Sequence, residues 1–315
     1  MLDILALGEP LMEFAEVGDD RKGDRLYLKG YGGDVSNMAV AAARQGAKVG
    51  IFTALGEDQF ATDFLDLWDR EGIDRSTVIR RDSERTGIYF IGYGAEGHVF
   101  SYFRKGSAAS LVAPAELPLD AIANAHVLYI SAISQAISEN CADACLAAIR
   151  HASGHGNLVC YDTNLRLKLW SIDRARHVIH SAVALADIVR PSLDDARMLS
   201  GLQAPDEICR FYLELGPRTV ALTLGKHGAM IANSEGCRLI PLSISVEAVD
   251  ATGAGDTFSG AFLAEWLRSG DPYAAAAYGN IAAALSTLGR GAVAPMPCRA
   301  EVEKHLAEAE AHSKD

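Results

Sequence analysis

Two aspartates bracket a loop of small residues that reads DATGAGD over positions 250–256 and leads directly into an apolar segment. Gly253, Ala254 and Gly255 carry almost no side chain, so a ligand can approach the backbone closely. The segment that follows, 254–267, is predicted to be a helix whose free N-terminal amides and positive dipole end face this loop. The pattern therefore predicts a binding hole for an anion.

The carboxylate of Asp256 stands next to this anion hole and has two interpretations. As a general base it would take the proton of an attacking hydroxyl while the loop amides stabilise charge on a transferring phosphoryl group. As a structural residue it would simply cap the helix, which is a common role for an aspartate in a first turn. The loop has no lysine of the kind that a P-loop carries.

Composition and charge restrict the class of ligand. The 315-residue chain is 49% hydrophobic and 22% charged, as in ordinary globular proteins, and its formal net charge is −12. This charge makes nucleic acid and anionic membranes poor partners, because phosphate binding demands a basic face. No apolar run approaches the ~20 residues of a spanning helix, and no basic segment precedes the first strand. We expect a soluble protein. Because its net charge is negative, a site for an anionic ligand would need clustered arginines.

The cysteines indicate free thiols in a reducing cytoplasm, because no C-x-x-C pair occurs among them. They stand at positions 141, 145, 160, 209, 237 and 298. Cys141 and Cys145, followed by His151 and His155, come nearest to the spacing of a metal site. The segment is rich in alanine and amphipathic, so we interpret it as a helix with buried thiols.

The elements that must position the loop alternate from about residue 120 onward. Apolar runs typical of buried parallel strands lie at 125–131, 157–162, 187–190 and 218–223. Helical patterns lie at 138–151, 173–186, 192–200 and 204–214. The N-terminal part adds strands at 4–8 and 48–54 and helices at 37–45 and 58–71. The pattern predicts an α/β body, with helices on both faces of a mainly parallel sheet.

Two segments, 11–33 and 86–107, break this alternation, and both are typical of short antiparallel strands without helices. A small second sheet carried on the body is the simplest interpretation.

Positions 92–97 read GYGAEG, which matches the dinucleotide fingerprint, but a strand follows where the fingerprint needs a helix. We therefore predict a hairpin turn there.

These residues resemble the signatures of the PfkB, or ribokinase-like, carbohydrate kinases. The loop at 250–256 is similar to their D-T-x-G-A-G-D motif, and GGDVSN at 32–37 is similar to their G-G-x-x-x-N motif. The resemblance covers essentially the whole chain and implies one kinase domain, 1–315, with a three-layer α/β/α body and a β lid formed by the two helix-poor segments. It implies Asp256 as catalytic base, Gly253 to Gly255 as the anion hole, and ATP with Mg²⁺ as phosphoryl donor.

The resemblance extends to the nucleotide side. LGKHG at 224–228 is similar to the family's strand-end loop near ATP, and NIAAALST at 280–287 to the helix beside the adenine. The positions carried over are Asn164, Ser192, Thr223, Gly225, Gly228, Gly253, Gly255, Asn280 and Ala283. The family's N-x-x-E reads SLDD at 192–195, which makes Asp195 the implied metal ligand, with a shorter reach. A monovalent cation near Asp250 and Gly291 is left open.

Two arginines bear on the substrate. Arg104, in YFRKGSAA, and Arg166, in DTNLRLKLW, both stand at strand ends, where α/β proteins bind ligands. A sugar acid needs a guanidinium for its carboxylate, whereas a neutral sugar does not. Within the family, both segments most resemble the 2-keto-3-deoxygluconate kinases. The alternative is that the two arginines are solvated or pair with ATP phosphates.

The resemblance implies phosphorylation of the terminal hydroxyl of 2-keto-3-deoxygluconate. The positions assigned to the sugar, besides Asp256, are Gly33, Asp34 and Asn37 for its hydroxyls, Tyr89 and Tyr102 on the lid side, and Arg104 and Arg166 at its carboxyl end. A neutral-sugar kinase, of the fructokinase or ribokinase type, is the nearest alternative, followed by a non-catalytic sugar sensor. We also expect a dimer or higher oligomer, because the edge of a small lid sheet can pair with a second copy.

Overall fold

The computed structural model describes residues 1–19, 21–94 and 97–312. The strands are β1 (Leu2–Leu7), β2 (Leu11–Asp19), β3 (Arg25–Gly32), β4 (Val49–Phe52), β5 (Ala54–Gly56), β6 (Ile79–Arg81), β7 (Ile88–Gly94), β8 (Gly97–Phe103), β9 (Ala125–Ser131), β10 (Leu158–Asp162), β11 (Ile188–Arg190), β12 (Thr219–Thr223), β13 (Ala229–Asn233) and β14 (Gly236–Ile240). The helices are α1 (Asp34–Arg44), α2 (Gln59–Arg70), α3 (Leu119–Ala123), α4 (Ala132–Ala136), α5 (Glu139–Gly154), α6 (Ile172–Val183), α7 (Leu193–Ser200), α8 (Pro205–Leu215), α9 (Ala254–Ser269), α10 (Pro272–Ser286) and α11 (Arg299–His312).

The main sheet contains eight strands in the order β14-β13-β12-β11-β10-β9-β1-β4. The six strands from β12 to β4 are parallel to their neighbours, whereas β13 and β14 add an antiparallel edge. The prediction of an α/β fold with a mainly parallel sheet is therefore confirmed.

Strand β9 shows why the sheet is buried on both faces. Leu128 and Ile130 pack into one apolar cluster, together with residues of α5 and α6. Val127 and Tyr129 point the other way and pack with residues of α1 and α9. Successive side chains of a strand alternate between faces, so a continuous apolar run requires helices on both sides. This produces the three layers.

The second sheet, here called the lid sheet, has the order β3-β2-β7-β8. As expected, β2 pairs with β3 and β7 with β8 in antiparallel fashion. The two segments join through β2 and β7, which run parallel to each other. The pairing of Gly94 with Gly97 confirms the predicted hairpin in place of a dinucleotide fingerprint; residues 95 and 96 lie outside the described ranges.

The carboxyl ends of the parallel strands meet at one edge of the main sheet, below the lid sheet. Strands β10 and β11 end there at Asp162 and Arg190. Hydrogen bonds join the first turn of α1 to that of α9 and to the loop after β10. Ligand sites of open α/β sheets form at this edge.

The cysteines depart in part from the expectation of buried thiols. All six are free; four are buried, whereas Cys237 and Cys298 are exposed. The segment with Cys141 and Cys145 is helix α5, as predicted. No helix in the described ranges is both long and apolar enough to cross a membrane.

Candidate active site

The predicted anion hole lies where the loop at 250–253 enters α9. Gly253 is left-handed, with φ 75°, and precedes the helix. The first regular helical bond runs from the Thr257 amide to the Gly253 carbonyl, at 2.8 Å. The amides of Gly255 and Asp256 precede that bond and have no acceptor within the helix. They are available to an anion.

Two further contacts fix the shape of this loop. The Asp250 carboxylate accepts hydrogen bonds from the Thr252 amide and hydroxyl, at 2.9 and 2.7 Å, and from the Gly291 amide, at 2.9 Å. A Cβ on Gly253 would stand 2.9 Å from that of Ala292. Positive φ and close contact together require glycine at position 253.

Asp256 lies in the first turn of α9 but does not cap it. Its carboxylate instead accepts a 2.9 Å hydrogen bond from the Asn37 side-chain amide, on α1. Burial and the nearby Asp34 carboxylate raise the pKa of Asp256 to about 8, and the bond from Asn37 opposes this rise. A carboxylate with a pKa near neutrality is suited to general-base chemistry.

Asp34 begins α1 and links this helix to the loop that follows β10. It is 8% exposed, and its carboxylate accepts a 2.8 Å hydrogen bond from the Asn164 side chain, which follows β10. Burial raises the pKa of Asp34. The residue before it, Gly33, has φ 90°, and a Cβ there would lie 2.3 Å from the Glu9 carbonyl oxygen. Glycine at 33 therefore lets α1 start directly against the end of β1.

The lid sheet contributes a pair of tyrosines. Tyr89 and Tyr102 are opposite each other in the β7–β8 ladder, and their rings stack with centroids 5.5 Å apart. The Tyr89 hydroxyl donates a hydrogen bond to the Glu13 carboxylate. Tyr102 keeps 38% of its surface exposed. The lid sheet thus presents one fixed and one open aromatic side chain.

The two predicted arginines differ in their surroundings. Arg104 is largely buried and forms an ion pair with Glu9, which also accepts a 2.9 Å hydrogen bond from the Ser107 hydroxyl. Arg166 is exposed and donates to the Leu165 carbonyl at 2.8 Å. No described carboxylate forms an ion pair with Arg166, although its charge opposes the rise in the pKa of the nearby Asp34 and Asp195, and its exposed guanidinium is accessible to a ligand.

The strand ends that follow β11 and β12 form a shelf beside the anion hole. Ser192 and Thr223 are joined by an isolated bridge, and the Thr223 amide donates to the Pro191 carbonyl at 3.0 Å. A Cβ on Gly225, where φ is 58°, would meet no atom within 4 Å, so a ligand has access to that backbone.

Two other positions of the predicted nucleotide side also have structural contacts. A Cβ on Gly228 would lie 2.2 Å from the Ile240 carbonyl oxygen, so glycine here permits a close approach to β14. The Asn280 side chain donates to the same carbonyl at 2.9 Å. Ala283, one turn further along α10, is half-buried.

The sequence profile of the pfkB family carbohydrate kinases matches residues 1–299, nearly the whole chain. The chain belongs to this family. The kinase is 32% identical over 313 residues to the 2-dehydro-3-deoxygluconokinase of Thermoproteus tenax, with 97% of this chain and 94% of that one covered. It is 30% identical over 316 residues to probable fructokinase-5 of Arabidopsis thaliana, with 96% of each chain covered.

Solved structures of relatives share the fold of this carbohydrate kinase. A PfkB protein from Polaromonas sp. JS666 superposes with a TM-score of 0.87 at 28% identity, covering 96% of this chain and 99% of that one. A fructokinase from Vibrio cholerae O395, solved with fructose, ADP and calcium ion, superposes with a TM-score of 0.84 at 25% identity, covering 96% and 97%.

Three charged residues of the kinase's site were not singled out from the sequence. Glu9 ends the turn after β1, Glu13 lies within β2, and Arg190 ends β11. All three are at most 5% exposed. For Arg190 a signal was present, because it is a charged residue at the carboxyl end of a predicted parallel strand. Nothing local in the sequence distinguishes the glutamates from surface residues.

Proposed function

We propose that this kinase transfers the γ-phosphoryl group of ATP to the terminal hydroxyl of 2-keto-3-deoxygluconate and forms the 6-phosphate. The observation that carries the proposal is the open charge of Arg166 beside Asp34 and Tyr102. In a chain with a net charge of −12, an exposed guanidinium facing the site is suited to an acidic sugar. The resemblance to 2-dehydro-3-deoxygluconokinases supports it.

In the proposed reaction Asp256 is the base. Its carboxylate takes the proton of the sugar hydroxyl, whose oxygen attacks the γ-phosphorus while the bond to the ADP oxygen breaks. Asn37 orients the carboxylate, and the free amides at Gly255 and Asp256 stabilise negative charge on the transferring group. Because the pKa of Asp256 is about 8, part of the population holds the base ionised at neutral pH.

The carboxyl end of the sugar is assigned to the two arginines. Arg166 would form the primary ion pair, since Glu9 already neutralises Arg104. Arg104 can still contribute hydrogen bonds, because guanidinium groups carry five donors. Both charges act on Tyr102, and the Arg104 guanidinium carbon lies 5.7 Å from its ring centroid. Gly33, Asp34, Asn37 and Tyr89 would surround the sugar hydroxyls.

ATP is proposed to lie along the strand-end shelf. Ser192, Thr223 and Gly225 would contact its phosphates and ribose, Asn164 and Gly228 would border this path, and Asn280 and Ala283 would face the adenine. The amides of the loop from Gly253 to Gly255 would meet the γ-phosphate.

Asp195 is the residue proposed to hold Mg²⁺ beside the ATP phosphates. One carboxylate oxygen of Asp195 accepts a 3.1 Å hydrogen bond from the Leu165 amide, and the residue is half-buried in the first turn of α7. No group of three or more metal-ligating side chains occurs among the described residues. A single carboxylate fits Mg²⁺, which commonly binds through one or two carboxylates and the substrate phosphates. When bound, it would neutralise phosphate charge.

A neutral-sugar kinase is the second candidate, and one observation favours it. The buried pair of Glu9 and Arg104 removes one of the two charges that a sugar acid would use. A fructokinase relative at 30% identity is consistent with this alternative. In that case Glu13 and Asp34 would accept hydrogen bonds from sugar hydroxyls.

An ADP-release assay with Mg-ATP tests the proposal. Values of kcat/KM would be compared for 2-keto-3-deoxygluconate, fructose, ribose and tagatose 6-phosphate. We expect the keto-deoxy acid to exceed the neutral sugars by about 100-fold, the usual value of a charge-assisted hydrogen-bond pair. Preference for fructose or ribose would reject the sugar-acid assignment and leave Asp256 as base.

Residues 1–315 would act as one kinase domain in the cytoplasm, and a dimer would form through the lid sheet. Its edge strands β3 and β8 expose apolar side chains: Leu28 is 53% and Phe103 is 64% exposed. Unpaired edge strands with apolar faces are suited to pairing with a second copy.

A further inference from the structure

Arg190 is a buried charge at the edge of the active site. It ends β11, is 5% exposed, and forms an ion pair with Asp162, which ends β10. Asp162 also accepts hydrogen bonds from the Tyr129 hydroxyl, at 2.9 Å, and from the Asn164 amide, at 3.1 Å. Burial disfavours the charge of Arg190, but the Asp162 carboxylate raises its pKa, so Arg190 is a permanent cation.

The guanidinium of Arg190 packs against the backbone of the anion hole. A Cβ on Gly255 would stand 3.4 Å from Nη1, 3.8 Å from Nη2 and 3.9 Å from the central guanidinium carbon. These similar distances place the planar group across the space that a side chain at Gly255 would fill. A Cβ here would be in van der Waals contact with the guanidinium, so the cation lies directly beneath the first turn of α9.

The charges around Asp256 explain what this cation does. Asp34 on α1 and Asp162 on β10 both raise the pKa of Asp256, whereas Arg190 on β11 lowers it. The charge of Asp256 in turn raises the pKa of two tyrosines, Tyr89 on β7 and Tyr129 on β9. Without Arg190, three carboxylates would share the site with no buried cation among them. At least one of such a group tends to stay protonated.

We propose that Arg190 is a positioning residue for phosphoryl transfer, which neutralises Asp162 and supports the Gly255 backbone so that Asp34 is the one neighbouring carboxylate of Asp256 without a buried cation beside it. This rests on Asp256 being the base of the proposed function but not on the identity of the sugar. Arg190 itself touches neither reactant. It acts through the ionisation of Asp256 and the placement of the neighbouring amides.

Opposite substitutions in the ion pair provide the test. In Arg190→Met the charge of Asp162 is uncompensated, so we expect the acid limb of the kcat/KM profile to move up by about one pH unit. In Asp162→Asn the uncompensated charge is that of Arg190, and the limb should move down. The double variant, Arg190→Met with Asp162→Asn, should return the limb to within about 0.3 unit of the parent. Profiles would be recorded with the preferred sugar and saturating Mg-ATP.

The shifts of the acid limb distinguish an effect of the Arg190 charge from an effect of its packing. If Arg190 only filled space under Gly255, activity would fall equally at every pH, the acid limb would not move, and the double variant would not recover the lost activity. If Arg190→Met does not fold, Asp162→Asn alone decides, because an unmoved acid limb overturns the proposal. Arg81→Met is the matched control: it breaks an ion pair with Glu116, 2.7 Å long, outside the site, and should leave the profile unchanged.

Asp256→Asn distinguishes this inference from the proposed function. If that variant turns over sugar at a substantial rate, the base assignment fails whatever the ion-pair variants do. If it is inactive while Arg190→Met and Asp162→Asn both keep the parental profile, only the role of Arg190 is rejected.

Discussion

The side-chain amide of Asn37 holds the carboxylate of Asp256 at 2.9 Å, although 219 positions separate the two residues in the chain. The contact joins the first turn of α1 to the first turn of α9. It favours the ionised form of Asp256 against burial and the charge of Asp34, which raise its pKa to about 8.

Asn37→Ala should therefore raise the pKa of Asp256 further. We expect kcat/KM at pH 7 to fall by about 10-fold and to recover in part above pH 8.5, because a hydrogen bond to the charged form is lost. A pH-rate profile measures this. Asn124→Ala is the control, since the exposed Asn124 side chain donates to the Asp120 carbonyl, four positions earlier in the chain. An equal loss at every pH would contradict the argument from charge.

Asp256→Asn should abolish turnover and stabilise the protein at alkaline pH. Burial raises the pKa of Asp256 from 3.8 to about 8, so the native state binds the proton more tightly than the unfolded chain. Its contribution to the free energy of unfolding is thus lost as the pH rises from about 4 to above 8. The substitution should increase this free energy by about 1–2 kcal/mol at pH 8.5, allowing for solvent screening, and by less at pH 5. Urea unfolding of the parent and the variant at pH 5 and pH 8.5 tests the prediction. A difference in the free energy of unfolding that is the same at both pH values would refute it.

Arg166→Ala should raise KM for 2-keto-3-deoxygluconate by about 100-fold, because the open guanidinium is assigned to the substrate carboxylate. Turnover of any neutral sugar should change little. Lys168→Ala, which removes an exposed positive charge two positions away, controls for a general loss of charge. Equal effects of the two substitutions would indicate that Arg166 is merely solvated.

Arg104→Ala should have a different consequence, because it leaves Glu9 buried without its cation. We expect the free energy of unfolding to fall by roughly 3 kcal/mol, as for other broken buried ion pairs. Adding Glu9→Gln should restore part of that stability. Thermal unfolding of the single and double variants measures the effect, and full stability in Arg104→Ala would show that the pair is weak.

Gly253→Ala should disable the anion hole. The residue has φ 75°, and the new Cβ would stand 2.9 Å from that of Ala292, so the loop must move. Gly270→Ala is a matched control at the other end of α9, with φ 73° and no atom within 4 Å of its Cβ position. Both should cost about 1 kcal/mol of backbone strain, but only Gly253→Ala should reduce kcat strongly. Similar kcat values would reject the role of the loop geometry.

The oligomeric state can be checked by light scattering. We expect a dimer or larger assembly at micromolar concentration. Phe103→Glu, on the exposed lid sheet, should weaken it. A monomeric parent protein would reject the proposed interface.

The local elements of the fold could be predicted from the sequence, because local interactions determine them. The runs at 125–131 and 218–223 are apolar on both faces, and they form β9 and β12 within one residue of the predicted bounds. The loop at 250–253 leads into α9, which begins at Ala254 as predicted. The hairpin β13–β14 was not predicted from the sequence, since β14 is almost wholly exposed at the sheet edge and lacks an apolar run.

The family motifs, the buried strands and the predicted anion hole are recognisable in the sequence, since each depends on residues close together in the chain. Which charges meet depends on the tertiary fold. Whether Arg104 faces a ligand or Glu9, and whether Arg190 lies under Gly255, depends on which strand ends are neighbours in the sheet. Strand order is set by pairing between distant segments. The residues next to a charged side chain in the sequence therefore do not identify its partner in the fold. The electrostatics of the site therefore became visible only in the folded chain.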